Sequence, residues 1–139
     1  MKNLQICNIV SYDGDVYYVT ELRGRIIVTI TKKNFEISTN PNKINDIELS
    51  DWLLDKLFRK LNERQWLIEP NNDSPFYDYI LQKKTESGLY VILTGDKWSL
   101  PFSSIREFQN MYSLYSEYES CERLNTDINM KLLEIFNLL

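Results

Sequence analysis

Apolar and polar residues alternate with period two through the first third of the chain. "VYYVTEL" (16 to 22) sets Val16, Tyr18, Thr20 and Leu22 on one side and Tyr17, Val19 and Glu21 on the other, the pattern of a half-buried strand. "RIIVTIT" (25 to 31) repeats it with Ile26, Val28 and Ile30, "LQICNIV" (4 to 10) precedes it, and Phe35 and Ile37 mark a further strand. Asp13-Gly14 and Arg23-Gly24 are turn signals, since glycine accepts positive φ. Four short strands joined by tight turns predict a small curled antiparallel sheet, SH3-like in kind. "STNPNKIND" (38 to 46) reads as a loop.

The period then changes. "LSDWLLDKLFRKL" (49 to 61) predicts a helix with Ser50 as N-cap and Leu53, Leu54, Leu57, Phe58 and Leu61 on its apolar side. Lys56, Arg59, Lys60 and Arg64 fall near its C-terminal end, where the helix dipole favours cations. "RQWLIEP" returns to extended structure and "NNDSP" (71 to 75) breaks it. "FYDYILQKK" and "LYVILTG" flank "TESG" as a second β-hairpin, and "DKWSL" adds a short strand. Ser104 with Glu107 is a capping box opening a helix near Ile105, with Ile105, Phe108, Met111, Tyr112 and Tyr115 inward. A final helix is predicted over 126 to 139. The fold class expected is α+β, one domain over 1 to 139: a small antiparallel N-terminal sheet, a helix, a second β-hairpin and two C-terminal helices.

Composition narrows the chemistry. At 139 residues the chain can bury roughly two-thirds of its unfolded surface. The net charge of −4 opposes non-specific attraction to nucleic acid unless the basic residues are segregated. No histidine is present, which removes the commonest general base and metal ligand. Cys7 and Cys121 have no metal spacing and read as buried thiols. No run reaches the roughly 18 apolar residues of a membrane span, and no signal pattern opens the chain, so a cytoplasmic protein without membrane contact is expected. "DGD" (13 to 15) and "TGDK" (94 to 97) read as turns rather than a metal site or a phosphate loop, and neither metal nor cofactor is expected.

At "IREFQNMYSLYSE" the chain resembles the C-terminal signature of a family of small uncharacterised proteins encoded by phages and prophages of Bacteroidota, where a helix close to "VHQLQNLYFALTGEEL" closes the domain. Gln109, Asn110 and Tyr112 match by identity. "LQICNIVSYDGDVYYVTEL" is similar to the family's opening "LRIGNYVNYNGKIYKVTEI", and "IELSDWLLDKLFRK" resembles its middle "IPLTEEWLLKLGF". Arg106 stands where the family has histidine, Cys7 where it has its first glycine, and residues 119 to 139 form a C-terminal helical extension past its usual end. The resemblance implies a phage or mobile-element setting in a bacterial host. It brings no catalytic residues.

Three functions follow as expectations. The first is a non-enzymatic phage accessory protein that binds and inhibits a host protein, an anti-defence inhibitor of a target such as a CRISPR effector. The second is an RNA or single-stranded nucleic-acid-binding module using Tyr17, Tyr18, Arg23, Arg25, Lys32 and Lys33, where phosphate contacts and base stacking combine. The third is a histidine-free enzyme or nucleotide binder. Glu117, Glu119 and Glu122 read as a solvated helix end. Ile128, Leu132, Phe136 and Leu139 on the final helix either complete the core or form an interface, including one between two copies.

Overall fold

In a computed structural model, residues 3–68, 79–84, 88–94, 97–118 and 122–139 are described, the side chains of 115–126 excepted. They form an α+β fold of two antiparallel sheets and three helices. Strands β1 (Ile9–Tyr12), β2 (Asp15–Arg23), β3 (Ile27–Lys32) and β4 (Phe35–Thr39) make a four-stranded meander. At the first turn Asp13 (φ 50) and Gly14 (φ 81) are both left-handed, the pairing a two-residue hairpin needs to match strand twist. A 3-10 turn at Pro41–Lys43, capped by Asn40, follows β4 and sends the chain back to β1, where Ser11 and Asn45 bridge. Four meander strands, the 3-10 turn and the return against the first strand curl the sheet into a small, partly closed barrel. Its interior is Val10, Tyr17, Val19, Val28, Ile30 and Ile44.

The strict alternation expected along β2 breaks at Thr20. A bulge between Val19 and Glu21 shifts the phase, so Leu22 faces Val28 on the barrel-interior side and Glu21 faces Thr29 on the other. Val16 and Tyr18 turn away from the barrel interior and pack on the second, larger core.

Helix α1 (Asp51–Leu57) starts as expected, with Ser50 Oγ accepting from Leu53 N at 3.2 Å, but ends four residues early. Phe58 is extended, and residues 59–62 form strand β5 (Arg59–Asn62), which turns through Glu63-Arg64 into β6 (Gln65–Ile68). The basic cluster at Arg59, Lys60 and Arg64 is therefore on a hairpin, not at a helix terminus. β7 (Tyr79–Lys83), β8 (Tyr90–Thr94) and β9 (Lys97–Trp98) complete a five-stranded meander, where the extended "RQWLIEP", a hairpin and one added strand were expected and β5 was not. Pairing consumes the polar backbone of β5, which helix periodicity alone does not reveal.

The inner face of this sheet carries Trp66, Ile68, Tyr79, Leu81, Tyr90 and Ile92. Against them pack Leu53, Leu54 and Leu57 of α1, Ile105, Phe108 and Tyr112 of α2 (Ile105–Tyr118), and Ile128, Leu132 and Leu133 of α3 (Glu122–Ile135). Ser104 caps α2 as expected, with Glu107 N donating to Ser104 Oγ at 3.1 Å, while the second bond of the pair runs between side chains, the hydroxyl donating to Glu107 Oε1 at 2.9 Å. The last helix spans Glu122–Ile135 instead of 126 to 139, because its final turn unwinds at Asn137 (φ 55), turning the buried Leu138 into the core. Tyr115, Glu117, Glu119, Glu122, Cys121 and the "NNDSP" and "TGDK" turns lie wholly or in part outside the described residues or side chains.

Helix α2 also holds the chain's first segment. Gln109 is buried, its Oε1 accepting from Ile9 N at 2.8 Å and its Nε2 donating to Cys7 O at 2.8 Å and Asn129 Oδ1 at 3.0 Å. The side-chain amide thus occupies the edge of β1 as a neighbouring strand would. Asn110 donates to Asn3 O at 2.7 Å and accepts from Asn8 Nδ2 at 2.9 Å. Arg106 grips Asp46 with Nε and one terminal nitrogen, at 2.7 and 3.1 Å, and its other terminal nitrogen reaches Asn3 O at 3.1 Å. The "QN" pair is a structural clamp. It satisfies backbone groups that would otherwise be buried unpaired.

Candidate binding surface

The residues singled out for nucleic acid do not meet on one face. Tyr17 is 7% exposed inside the barrel, its ring edge-on to Tyr12 at 6.3 Å, while Tyr18 points the opposite way into the helical core. Adjacent positions on a strand face opposite sides, so the Tyr-Tyr pair is no stacking platform. Arg23 and Arg25 flank Gly24 (φ 61) at the far end of the β2–β3 hairpin, with Arg23 Nε on Glu21 at 2.9 Å. Lys32 and Lys33 lie at the other end of β3. Lys32 Nζ donates to Asp15 at 2.8 Å, and that bond, with one from Val16 N, holds the Asp15 carboxyl below its ordinary range. Lys33 is left-handed (φ 54) and its N–H donates to Leu138 O at 2.6 Å.

The terminal helix is largely consumed by packing. Ile128 and Leu132 are buried and Phe136 lies half-buried against the same core, while Leu139 is exposed. The arrangement matches the core reading at Ile128, Leu132 and Phe136, leaving only Leu139 on the surface. Cys7 is half-buried, and burial pushes its thiol pKa up, away from the reactive thiolate. Asp51, in the first turn of α1, accepts from Lys83 Nζ at 3.2 Å and Tyr90 Oη at 3.1 Å; burial and that carboxylate push the Tyr90 phenol up to about 12. This carboxylate binds α1 to the sheet. Among the described residues no three His, Cys, Asp or Glu side chains converge as a metal site requires.

The surface that stands out is one the sequence did not flag. Register across the five-stranded sheet places Arg59, Leu67, Ile80, Leu93 and Trp98 in one row, a residue from each strand. The neighbouring positions Trp66, Leu81 and Ile92 face the core, so this row faces outward. Leu67, Ile80 and Leu93 are half-buried, belong to neither core cluster, and lead to Trp98, 59% exposed on the edge strand. Four inter-strand steps make the row about 19 Å long. Beside it runs an amide ladder: Asn62 Nδ2 donates to Gln65 Oε1 at 2.8 Å and Gln65 Nε2 to Gln82 Oε1 at 2.9 Å. Such a ladder fixes the rotamers that flank the row. A second apolar surface is the β2–β3 hairpin end, with Ile26 and Ile27 exposed beside Leu22.

These residues escaped notice because "QWLI", "YILQK" and "YVILT" read as continuous apolar runs. The signal available was alternation within each run, Trp66 against Leu67 and Leu81 against Ile80, once five strands rather than four are placed in register. No family model, no curated protein and no solved structure matches the chain. Among the described residues no helix is long and apolar enough to cross a membrane.

Proposed function

We propose that this chain is a non-enzymatic binding protein that occupies another protein and blocks it, in the phage or prophage setting that the family resemblance implies. The partner class is a host defence protein such as a CRISPR effector. The observation that carries the reading is the outward row Leu67, Ile80, Leu93 and Trp98, a rigid apolar strip on a sheet whose other face is anchored to the core. An outward apolar row that ends in an exposed tryptophan is a surface of the kind that marks interaction sites. The titratable side chains with close partners, Asp46, Asp51 and Arg106, serve to hold elements together. That use supports binding over catalysis.

The test expresses the chain in a Bacteroidota strain with an active phage-defence system and measures phage plating, alongside native mass spectrometry of the purified chain. Plating should rise and a stoichiometric host protein should travel with the chain. Unchanged plating with no stoichiometric partner would end the proposal.

A further inference from the structure

We infer that the chain forms a symmetric dimer through the open edge of β4, the two copies of that strand lying antiparallel about Ile37. This is independent of the host-protein reading above, which uses the other sheet. The first ground is the direction of the backbone groups. In an antiparallel ladder successive residues point their N–H and C=O alternately to one neighbouring strand and to the other. From the closing pair Tyr12–Asp15 of the first hairpin, this alternation aims Ile9 and Ser11 out of the sheet at β1, where Gln109 meets the first and Asn45 the second. Carried through the pairs Ile9–Tyr18, Tyr18–Thr31 and Thr31–Glu36, it aims the N–H and C=O of Glu36 and Ser38 out of the sheet at β4. Both residues are exposed, and among the described residues no protein group bonds these outward backbone atoms.

The second ground is that the other sheet's edges are guarded and this one is not. β5 carries Arg59 and Lys60 with a bulge between Lys60 and Asn62, and β9 is two residues long. Cations, bulges and shortness are the devices that discourage edge pairing. β4 pairs with β3 in unbroken register over five residues and holds no proline, lysine or arginine. The third ground, which selects a second copy as the occupant, is the strand's own symmetry. Its outward residues flank Ile37 one on each side, so pairing about Ile37 sets Glu36 opposite Ser38 of the second copy and Ser38 opposite Glu36 of the second copy. Each of these pairs exchanges two backbone hydrogen bonds, and every outward group of both strands is satisfied. The strand's one charge meets a hydroxyl instead of another carboxylate directly across. Phe35, 59% exposed, falls opposite Thr39 of the second copy and diagonal to its Ile37, on the side that Ile37 turns to the barrel interior. Such an isologous contact closes at two copies. With five residues a side against the roughly 20–30 of a standard interface, the dimer is a reversible one, in the micromolar range or weaker.

The test follows the molar mass of the full chain by sedimentation velocity from about 2 to about 500 μM, over which the mean should climb from one chain toward two. Glu36→Pro removes an outward N–H that β3 does not use, and an edge strand accepts proline with that side to solvent. The variant should stay folded, which thermal unfolding at the dilute end checks, and its dissociation constant should rise about tenfold or more. Ile37→Cys tests the register. A residue on the two-fold axis faces its own copy in a non-hydrogen-bonded pair, where side chains lie closest. Mild oxidation should therefore join position 37 of one copy to position 37 of the other, a link located by mass spectrometry of the digested chain. Glu36→Cys faces Ser38 of the second copy and should self-link about tenfold less under the same conditions. One-chain mass throughout the series, a dimer that Glu36→Pro leaves intact, self-linking by Glu36→Cys as fast as by Ile37→Cys, or growth past two copies would each overturn the inference.

Discussion

Replacing Gln109 with alanine removes the side chain that completes the edge of β1, and the cost can be worked from its three bonds. Ile9 N–H, on a residue with no exposed surface, loses its acceptor, and Cys7 O loses a donor. A buried group left unpaired costs about 1–3 kcal/mol, so the two backbone groups together set a scale of about 2–4 kcal/mol after partial relaxation. The bond to the half-buried Asn129 adds little. A domain of this size has a total stability of only about 5–15 kcal/mol, so the change is large, lowering the melting temperature by roughly 10 °C. Urea unfolding followed by tryptophan fluorescence suits the measurement, because Trp66 is fully buried in the core. The midpoint should fall with m unchanged. Gln109→Glu adds a sign test. It keeps the acceptor for Ile9 but turns a carboxylate oxygen toward Cys7 O and Asn129 Oδ1. Burial raises that carboxyl's pKa, so the variant should gain stability as pH is lowered and the proton returns a donor. A loss below about 1 kcal/mol in Gln109→Ala would refute the clamp.

Two further perturbations follow. Cys7 sits at φ 75, opposite Val19 in a bulge where Cys7 N donates to Val19 O and Asn8 O accepts from Val19 N. Cys7→Gly should therefore be more stable than Cys7→Ala by about 1 kcal/mol in the same urea assay, and equal stabilities would show the left-handed strain is absent. Tyr90, pushed up to about 12 from an ordinary 10.0, binds its proton more tightly when folded. Its contribution is complete below pH 10 and is lost as pH rises to 12, so wild type should lose stability across that window relative to Tyr90→Phe; parallel curves would contradict the Asp51 contact.

The local signals in this sequence were strong where one residue's chemistry decides the outcome. Asp13-Gly14 dictated its hairpin, Ser50 and Ser104 opened their helices, and the β-branched runs of the first third formed the barrel meander as expected. Legibility failed where pairing with distant strands decides. "RKLN" continues the helical period of α1, and only its ladder with "QWLI" makes it a strand. The candidate surface was illegible for the same reason: it is a row across five strands, and no one segment contains more than one of its members. Tyr17 and Tyr18 misled in the opposite way, since adjacency in sequence means opposition on a strand.

The clamp formed by Gln109 also bears on how the chain is made. Ile9 and its acceptor are 100 residues apart. At roughly 5–20 residues per second of synthesis, about 5–20 s separate the emergence of β1 from the arrival of the glutamine that covers its edge. Through that interval the β1–β4 meander, whose contacts are local and close quickly, presents the Cys7–Ile9 backbone bare. An open strand edge is a template for pairing with another chain. The nascent protein is thus most exposed to aggregation before its seventh to ninth residues are sheathed, and chaperone demand should track the synthesis of α2 rather than of the barrel itself.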